Sequence, residues 1–191
     1  MAFLSDRQLN DMGFASLGDN VLISDKASIY GASRIKVGNN VRIDDFCVLS
    51  AGEGGIDIGN YIHIAVYSSL IGAGKIKISD YSNISSKVTI YSSNDDYSGE
   101  YMTNPMVPTT YTNVTHEDVI LGKHVIIGSG SVVLPGVTLH EGVAIGALSM
   151  VTKNCEAFGV YTGTPAKIIK SRKRNLLNLE QELLKNEHQK C

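Results

Sequence analysis

Residues 121–156 read LGKHVI, IGSGSV, VLPGVT, LHEGVA, IGALSM and VTKNCE, six consecutive hexapeptides that each begin with an aliphatic residue. The second position is usually Gly or another small or polar residue, and the fifth position is usually Val or Ser. A period of six fits neither an amphipathic helix, with a period of about 3.6, nor an alternating strand, with a period of about 2. It predicts a short strand followed by a corner, repeated, with one inward aliphatic side chain on each face. The leading residues are Leu121, Ile127, Val133, Leu139, Ile145 and Val151.

The same period continues toward the N-terminus with small shifts of phase. Aliphatic series begin at Leu17, Val37, Ile58 and Ile78, which lie 20, 21 and 20 residues apart. Because three hexapeptides span only 18 residues, each of these turns carries two or three extra residues at a corner. Three faces close a triangular coil, and stacked coils pair their backbones about 4.8 Å apart. The small residue at position two is expected to permit the tight corner. The sequence therefore predicts an all-β solenoid.

Composition and charge exclude several classes of protein. The formal net charge is −2, from 17 basic and 19 acidic residues, so the chain has no general basic field to hold nucleic acid. The apolar runs are far shorter than the roughly 20 residues of a membrane span. The start, MAFLSDRQLN, lacks the pattern of a secretory signal. Cys47, Cys155 and Cys191 are scattered without a CxxC pair, which favours reduced thiols in the cytoplasm.

Two terminal segments lie outside the repeats and are predicted to cap the solenoid. Residues 1–16 form the N-terminal cap, in which Ser5 and Gln8 fit a capping box at the start of a short helix. Residues 171–191 form a C-terminal segment whose helix extends to residue 189. Its Leu176, Leu179 and Leu183 at helical spacing are expected to pack on the coil or on a neighbouring subunit. The repeats span residues 17–170, with an inserted loop at 91–118.

The hexapeptides over residues 17–170 resemble those of the hexapeptide-repeat acyltransferases, near the galactoside, maltose and antibiotic acetyltransferases and the nucleotide-sugar N-acyltransferases. The segment YTGTPAKIIK, residues 161–170, resembles the signature that follows the last coil in this family. The resemblance implies a left-handed parallel β-helix, a homotrimer with active sites between subunits, and a donor that is acetyl-CoA or another acyl-CoA. It also implies a small-molecule sugar acceptor.

The interrupting segment, residues 91–118, contains four Tyr and two Pro residues and several acidic residues. A loop of this length in a regular solenoid is more often functional than tolerated, although a plain surface insertion remains an alternative. Many family members begin this loop with a catalytic His, which deprotonates a substrate hydroxyl. Here Asp95 stands at that position.

Asp95 in place of His favours an amine acceptor over a hydroxyl acceptor. A hydroxyl needs a base that works near neutral pH, whereas the neutral form of an amine is already a nucleophile. A carboxylate binds an incoming ammonium and accepts its proton. Asp95, Asp96 and Glu100 are the predicted catalytic residues, and their usual alternative role is that of solvated loop residues.

The predicted acceptor-binding residues lie in the loop and in the coils around it. Tyr97 is expected to stack on a sugar or a base, as loop tyrosines do when they do not simply anchor a lid. Two roles are open for His63, a structural role and contact with the active site. His116 lies where the loop rejoins the coil. His124 and His140 are expected to face solvent, and no histidine pair has metal-ligand spacing, so no metal is predicted. The acceptor set is His63, Tyr67, Ser69, Asn94, Tyr97 and His116.

The predicted coenzyme A site lies in the last third of the repeats. By resemblance, small residues let the pantetheine chain approach the backbone, and Lys167 and Lys170 approach the phosphates. The cofactor set is Ser129, Ala147, Thr152, Lys153, Lys167 and Lys170.

The sequence thus predicts an acyl-CoA-dependent N-acyltransferase acting on the amino group of a nucleotide-linked amino sugar, for surface polysaccharide synthesis. One alternative is a sugar or antibiotic O-acetyltransferase, in which His63 or His116 supplies the base. The alternative from another class is a non-catalytic β-helix that binds a ligand as a scaffold.

Overall fold

The computed structural model describes residues 2–188, and its walls are three sheets that wind into a triangular solenoid. Strands within each wall pair in parallel, except that β22 pairs antiparallel with β21. The first sheet holds β1 (Ser16–Leu17), β4 (Ile35–Val37), β7 (Ile56–Ile58), β10 (Ile76–Ile78), β15 (Val119–Leu121) and β18 (Thr138–Leu139). The second holds β2 (Val21–Ile23), β5 (Val41–Ile43), β8 (Ile62–Ile64), β11 (Asn83–Ile84), β16 (Ile126–Ile127), β19 (Ala144–Ile145), β21 (Gly159–Thr162) and β22 (Lys167–Ser171). The third holds β3 (Ser28–Tyr30), β6 (Val48–Ala51), β9 (Ser69–Gly72), β12 (Thr89–Tyr91), β17 (Val132–Val133) and β20 (Met150–Val151).

The core is a set of aliphatic ladders that run along the solenoid axis. Ile84, for example, pairs in register with Ile64 on one side and Ile127 on the other. All six leading residues of the 121–156 hexapeptides are at most 3% exposed, which confirms the predicted inward position. The fifth position also points inward, so each hexapeptide of this stretch buries two side chains rather than the one predicted. These second inward residues are Val125, Ser131, Val137, Val143, Ser149 and Cys155.

Two corners of the triangle are turned by residues with left-handed backbone. The first corner joins the first sheet to the second, and its left-handed residues are Asn20, Asn40, Tyr61, Tyr81, His124, Gly142 and Phe158. The second corner joins the second sheet to the third, and its left-handed residues are Phe46, Tyr67, Lys87, Gly130 and Leu148.

The small residue at position two has a different role from the one predicted. In residues 121–156 the left-handed residue stands at position four of the hexapeptide, as in His124 and Leu148. A Cβ atom added to Gly128, at position two, would lie 2.5 Å from the backbone nitrogen of Ala147 in the next coil. Position two is therefore small because the next coil passes against it, and position four makes the turn.

The extra residues of the early coils all lie at the third corner, which leads from the third sheet to the next coil. At this corner the segments that link the third sheet to the next strand are residues 31–34, 52–55 and 73–75 in successive coils, and residues 92–118 in the fourth. The long loop therefore enlarges a corner that is already expanded in the coils before it. Residues Ala32–Arg34 and Thr109–Tyr111 form single 3-10 turns.

Both ends of the solenoid carry a helix. Helix α1 (Asp6–Asp11) begins with the predicted capping box, in which the Ser5 side chain accepts from the Gln8 backbone and the Gln8 side chain accepts from the Ser5 backbone. Helix α2 (Leu176–His188) begins at residue 176 rather than 171, because residues 167–171 form β22. The end of the predicted helix at residue 189, together with Cys191, lies outside the described residues.

Helix α2 does not bury its leucine face against its own chain. Leu179 is 55% exposed and Leu183 is 38% exposed, whereas Leu176 is half-buried, so the first of the two predicted alternatives, packing on the coil, is wrong for Leu179 and Leu183. Within residues 2–188, no helix has the length and apolar character needed to cross a bilayer. Cys47 and Cys155 are unpaired and buried, and burial raises the pKa of each thiol to about 11.

Candidate active site

The second corner is a continuous edge built by backbone hydrogen bonds between coils. The amide of Tyr67 donates to Asp45, that of Lys87 to Val66, that of Gly130 to Ser86, and that of Leu148 to Ser129. Each left-handed residue is thereby placed directly over the one in the preceding coil. The φ angles of the five residues lie between 57° and 72°.

The inserted loop is closed at its base by a short antiparallel ladder between β13 (Ser93–Asn94) and β14 (Thr115–His116). The Ser93 hydroxyl oxygen lies 2.8 Å from His116 Nδ1 and accepts the Ala73 amide at 2.7 Å. His116 is thus held at the base of the loop, beside the third corner. Asn94 occupies the same ladder and is exposed.

The acidic residues of the loop have separate environments. Asp95 lies on the wall of a cavity of about 360 Å³, whose other lining residues are Asn104, Pro105, Val107, Thr109, Thr112 and Val114. Asp96 instead accepts hydrogen bonds from the Ser98 hydroxyl and from the amides of Gly99 and Tyr101. These bonds, that from Ser98 foremost, hold the pKa of Asp96 below its ordinary value. Asp96 therefore shapes the loop, whereas Asp95 is exposed and lines the loop cavity.

Other predicted loop residues lie at the surface. Glu100 is exposed, and its amide donates to the Ser98 hydroxyl. Tyr97 is 87% exposed and packs on little of its own chain.

His63 belongs to a charged network on the outer face of the second sheet. Its Nε2 lies 2.9 Å from Asp44 Oδ2, and the other oxygen of Asp44 accepts from Arg42 Nε at 2.7 Å. Burial alone would raise the pKa of Asp44, but the hydrogen bonds from His63 and Arg42 outweigh it and lower the pKa. Because Asp44 is 5% exposed, it is well placed to orient the His63 ring.

The remaining acceptor residues are rooted at a different place from the loop. Tyr67 projects from the second corner and is 54% exposed, and Ser69 is half-buried on β9. The loop, by contrast, leaves the third corner. Within one chain the predicted acceptor residues thus fall into two groups, one in the coil and one in the loop.

Of the predicted donor residues, Ser129 and Ala147 lie at the C-terminal half of the second corner. Ser129 and Ala147 occupy adjacent coils, joined by the bond of 2.9 Å from the Leu148 amide to the Ser129 carbonyl. The segment after the last coil returns to the same edge, where the Gly163 carbonyl accepts from the Met150 amide at 3.0 Å. Lys167 and Lys170 are exposed on β22, and Thr152 and Lys153 are exposed just after β20.

His124 is buried, which contradicts the predicted solvent exposure; its residual exposure is 9%. Its ring stacks on Tyr81 and its Nε2 lies 2.7 Å from Glu180 of helix α2. The helix covers a position that the repeat alone would leave open to water. His140 is exposed, as predicted.

Sequence reasoning missed Phe46, which stacks on Tyr67 at the second corner. The signal was present in the spacing, because Phe46, Tyr67 and Lys87 are 21 and 20 residues apart, which is the length of one early coil. Among residues 2–188 no three His, Cys, Asp or Glu side chains are grouped so that they could hold a metal ion.

Comparison with known proteins identifies close relatives along nearly the whole chain. Residues 118–153 match the family described as bacterial transferase hexapeptide (six repeats). The chain is 67% identical over 180 residues to a dTDP-4-amino-4,6-dideoxy-D-glucose acyltransferase of Escherichia coli, covering 94% of each chain.

Solved structures give the same result. AntD, an N-acyltransferase from Bacillus cereus, was solved with dTDP and 3-hydroxybutyryl-CoA; it is 47% identical, with a TM-score of 0.92 over 97% of this chain and 98% of AntD. A serine variant of AntD, solved with dTDP-4-amino-4,6-dideoxyglucose and coenzyme A, is 48% identical, with a TM-score of 0.92 over 96% and 97% of the two chains. The predicted fold class, a left-handed parallel β-helix with a long loop and a C-terminal helix, is confirmed.

Proposed function

This chain belongs to the hexapeptide-repeat acyltransferases, and we propose that it transfers an acyl group from acyl-CoA to the 4-amino group of a dTDP-linked 4-amino-4,6-dideoxyhexose. The reaction class follows from the relatives, which are an acyltransferase for a dTDP-linked amino sugar and an N-acyltransferase solved with coenzyme A. We therefore expect the enzyme to act in the cytoplasm, where nucleotide sugars and acyl-CoA are available, in a route to surface polysaccharide.

The observation that carries the acceptor assignment is the position of Asp95. Its carboxylate is the charged group on the wall of a cavity otherwise lined by valine, proline, threonine and asparagine side chains. An ammonium or amine entering this cavity has a charge-assisted partner in Asp95, whose exposed side chain is accessible to an incoming acceptor. Asp96 and Glu100 act around that centre, Asp96 by holding the loop and Glu100 at its surface.

The reaction needs little help beyond positioning and one proton acceptor. The amine nitrogen attacks the thioester carbonyl carbon, the new C–N bond forms, and the C–S bond breaks with its electron pair leaving on sulfur. Asp95 accepts the proton that the nitrogen loses and passes it to solvent or to the departing thiolate. A thiol ionises near pH 8–9, so coenzyme A leaves readily.

We propose that the active site is completed by a second copy of the chain in a homotrimer. The loop is rooted at the third corner, whereas Tyr67, Ser129 and Ala147 lie along the second corner. A neighbouring copy that presents its second corner to this loop brings the two groups together. The exposed Leu179 and Leu183 of helix α2 are available to such a neighbour.

The test is acyl transfer to paired acceptors that differ only in an amino or a hydroxyl group at carbon 4 of the dTDP-linked sugar. We expect turnover with the amine, and a kcat/KM about 10² to 10⁴-fold lower for Asp95→Asn, the range lost with a proton acceptor. Asp11→Asn, on the surface of helix α1, is the matched control and should keep full activity. Mixing Asp95→Asn chains with Ala147→Phe chains should restore part of the activity if each site uses two copies.

Two results would contradict the proposal. Turnover of the hydroxyl acceptor that survives Asp95→Asn but is lost in His63→Asn would establish an O-acetyltransferase, with the Asp44–His63 pair as its base. Binding of coenzyme A and dTDP without any turnover would support the alternative of a non-catalytic β-helix that binds ligands as a scaffold.

A further inference from the structure

Two stacked aromatic side chains are exposed to solvent at the second corner. Phe46 and Tyr67 stack with ring centroids 4.9 Å apart and an angle of 17° between their planes. Phe46 is 45% exposed and Tyr67 is 54% exposed, so neither ring is part of the core. Left-handed backbone at both residues, with φ of 60° and 61°, fixes the rings in one direction.

Cations lie at both ends of this pair. Lys26 Nζ is 5.7 Å from the centre of the Phe46 ring and 3.7 Å from Asp45, which neutralises part of its charge. Lys87 takes the next place in the same column, with φ of 62°, and its side chain is exposed. The second corner therefore presents a flat apolar surface with a lysine at each end.

We propose that Phe46, Tyr67 and Lys87 bind the nucleoside diphosphate part of the acceptor, an inference that rests on the proposed function. The base stacks on the face of Tyr67 that is turned away from Phe46, and Lys87 pairs with the diphosphate. Aromatic side chains next to a cation are suited to a flat heterocycle that carries phosphate, because the stacking and the charge interaction act on neighbouring parts of one ligand.

The position of the patch along the corner agrees with this occupant. Ser129, Ala147 and Leu148, next to the expected donor site, continue the same edge two and three coils further on. An acceptor nucleotide held by the second to fourth coils and a donor held by the later coils would approach each other along one edge.

The experiment is calorimetric titration of the full-length protein with dTDP and, separately, with coenzyme A. Base–aromatic stacking is worth about 1–3 kcal/mol, so Tyr67→Ala should weaken dTDP binding at least about fivefold while coenzyme A binding stays within about twofold. Phe46→Ala and Lys87→Gln should each weaken dTDP binding less, and only Lys87→Gln should reduce its dependence on salt. Tyr30→Ala, an equally exposed tyrosine on the third sheet, is the matched control and should change neither affinity.

In turnover, Tyr67→Ala should raise the KM for the nucleotide sugar far more than it lowers kcat. Unchanged dTDP affinity in Tyr67→Ala, with wild type binding dTDP and acylating the amino sugar, would overturn this inference and leave the proposed function standing. A lower mass in solution for Tyr67→Ala would overturn it too, because the patch would then be a contact between copies. Failure of the wild type to bind dTDP at all would overturn both.

Discussion

The first and second corners carry aromatic columns of nearly the same geometry and opposite surroundings. At the first corner, Tyr61 stacks on Tyr81 and Tyr81 on His124, each with centroids 5.0 Å apart. At the second, Phe46 and Tyr67 stack at 4.9 Å. Helix α2 covers the first column and leaves the second in water. The same left-handed backbone thus produces a structural column at the first corner, which helix α2 covers. At the second corner, which helix α2 does not cover, it produces an exposed column suited to binding a ligand.

Helix α2 covers the first column through its carboxylates rather than its leucines. Glu180 binds Lys123 and His124, each at 2.7 Å, and Glu187 accepts the Tyr61 hydroxyl. Burial alone would raise the pKa of Glu180, but the hydrogen bonds from Lys123 and His124 outweigh it and lower the pKa. The polar side of this helix is therefore its attachment to the coil.

The largest expected difference between the columns is in stability. Tyr81→Ala should lower the free energy of unfolding by about 2 kcal/mol, because it removes a ring stacked on both sides under the helix. Tyr67→Ala should lower it by less than about 1 kcal/mol, because the Tyr67 ring is half in water. Urea unfolding of the two variants measures both values. Equal losses would show that the second column supports the fold as much as the first.

The next largest effect on stability is expected at Glu180, which attaches helix α2 to the coil. Glu180→Ala should lower the free energy of unfolding by about 1–1.5 kcal/mol, because it removes the hydrogen bonds that His124 and Lys123 share with this carboxylate. Glu182→Ala, exposed on the same helix, is the control and should cost little. Proteolysis within α2 should become faster in the first variant alone. If both variants behave like wild type, the carboxylate anchor does not hold the helix.

A smaller effect on stability is expected when the pH is lowered. Since the pKa of Glu180 is lowered in the folded protein, its contribution is present above the ordinary value of 4.5 and is lost as pH falls through the lowered folded value. The stability difference between wild type and Glu180→Gln should therefore narrow on acidification below about pH 4.5. Urea titrations between pH 6 and 3 measure this difference, and a constant difference across that range would contradict the assignment.

The smallest effect is expected at alkaline pH, in the ionisation of Tyr61 of the first column. The hydrogen bond to Glu187 raises the pKa of Tyr61 to about 12, with a further contribution from burial. A raised pKa means that the contribution is present below pH 10 and is lost as pH rises through about 12. Ultraviolet titration should show late phenolates from Tyr61 and from Tyr81, whose pKa is also raised, chiefly by burial. Tyr61→Phe should remove one of them, and Glu187→Gln should make the Tyr61 phenolate form earlier. An unaltered curve in Tyr61→Phe would exclude this residue as a late group.

The sequence by itself determined the solenoid and the place of its interruption. The spacing from Leu121 to Val151 requires one buried side chain every six residues, and a triangular coil meets that requirement. The Ser5–Gln8 capping box could also be predicted from the sequence, because both partners lie within one helical turn. The replacement of His by Asp95 also pointed to an amine acceptor, and the Escherichia coli relative is an acyltransferase for a dTDP-linked 4-amino sugar.

Contacts between distant residues were decided by the tertiary structure alone. His124 is buried because Glu180, 56 residues later, reaches it from helix α2, and no local pattern encodes that reach. Asp95 and Asp96 are neighbours of the same type, yet Asp96 accepts hydrogen bonds from within the loop, whereas Asp95 is exposed and lines the loop cavity. Periodicity fixes which residues face inward, whereas the environment of an outward side chain depends on what other parts of the chain fold over it.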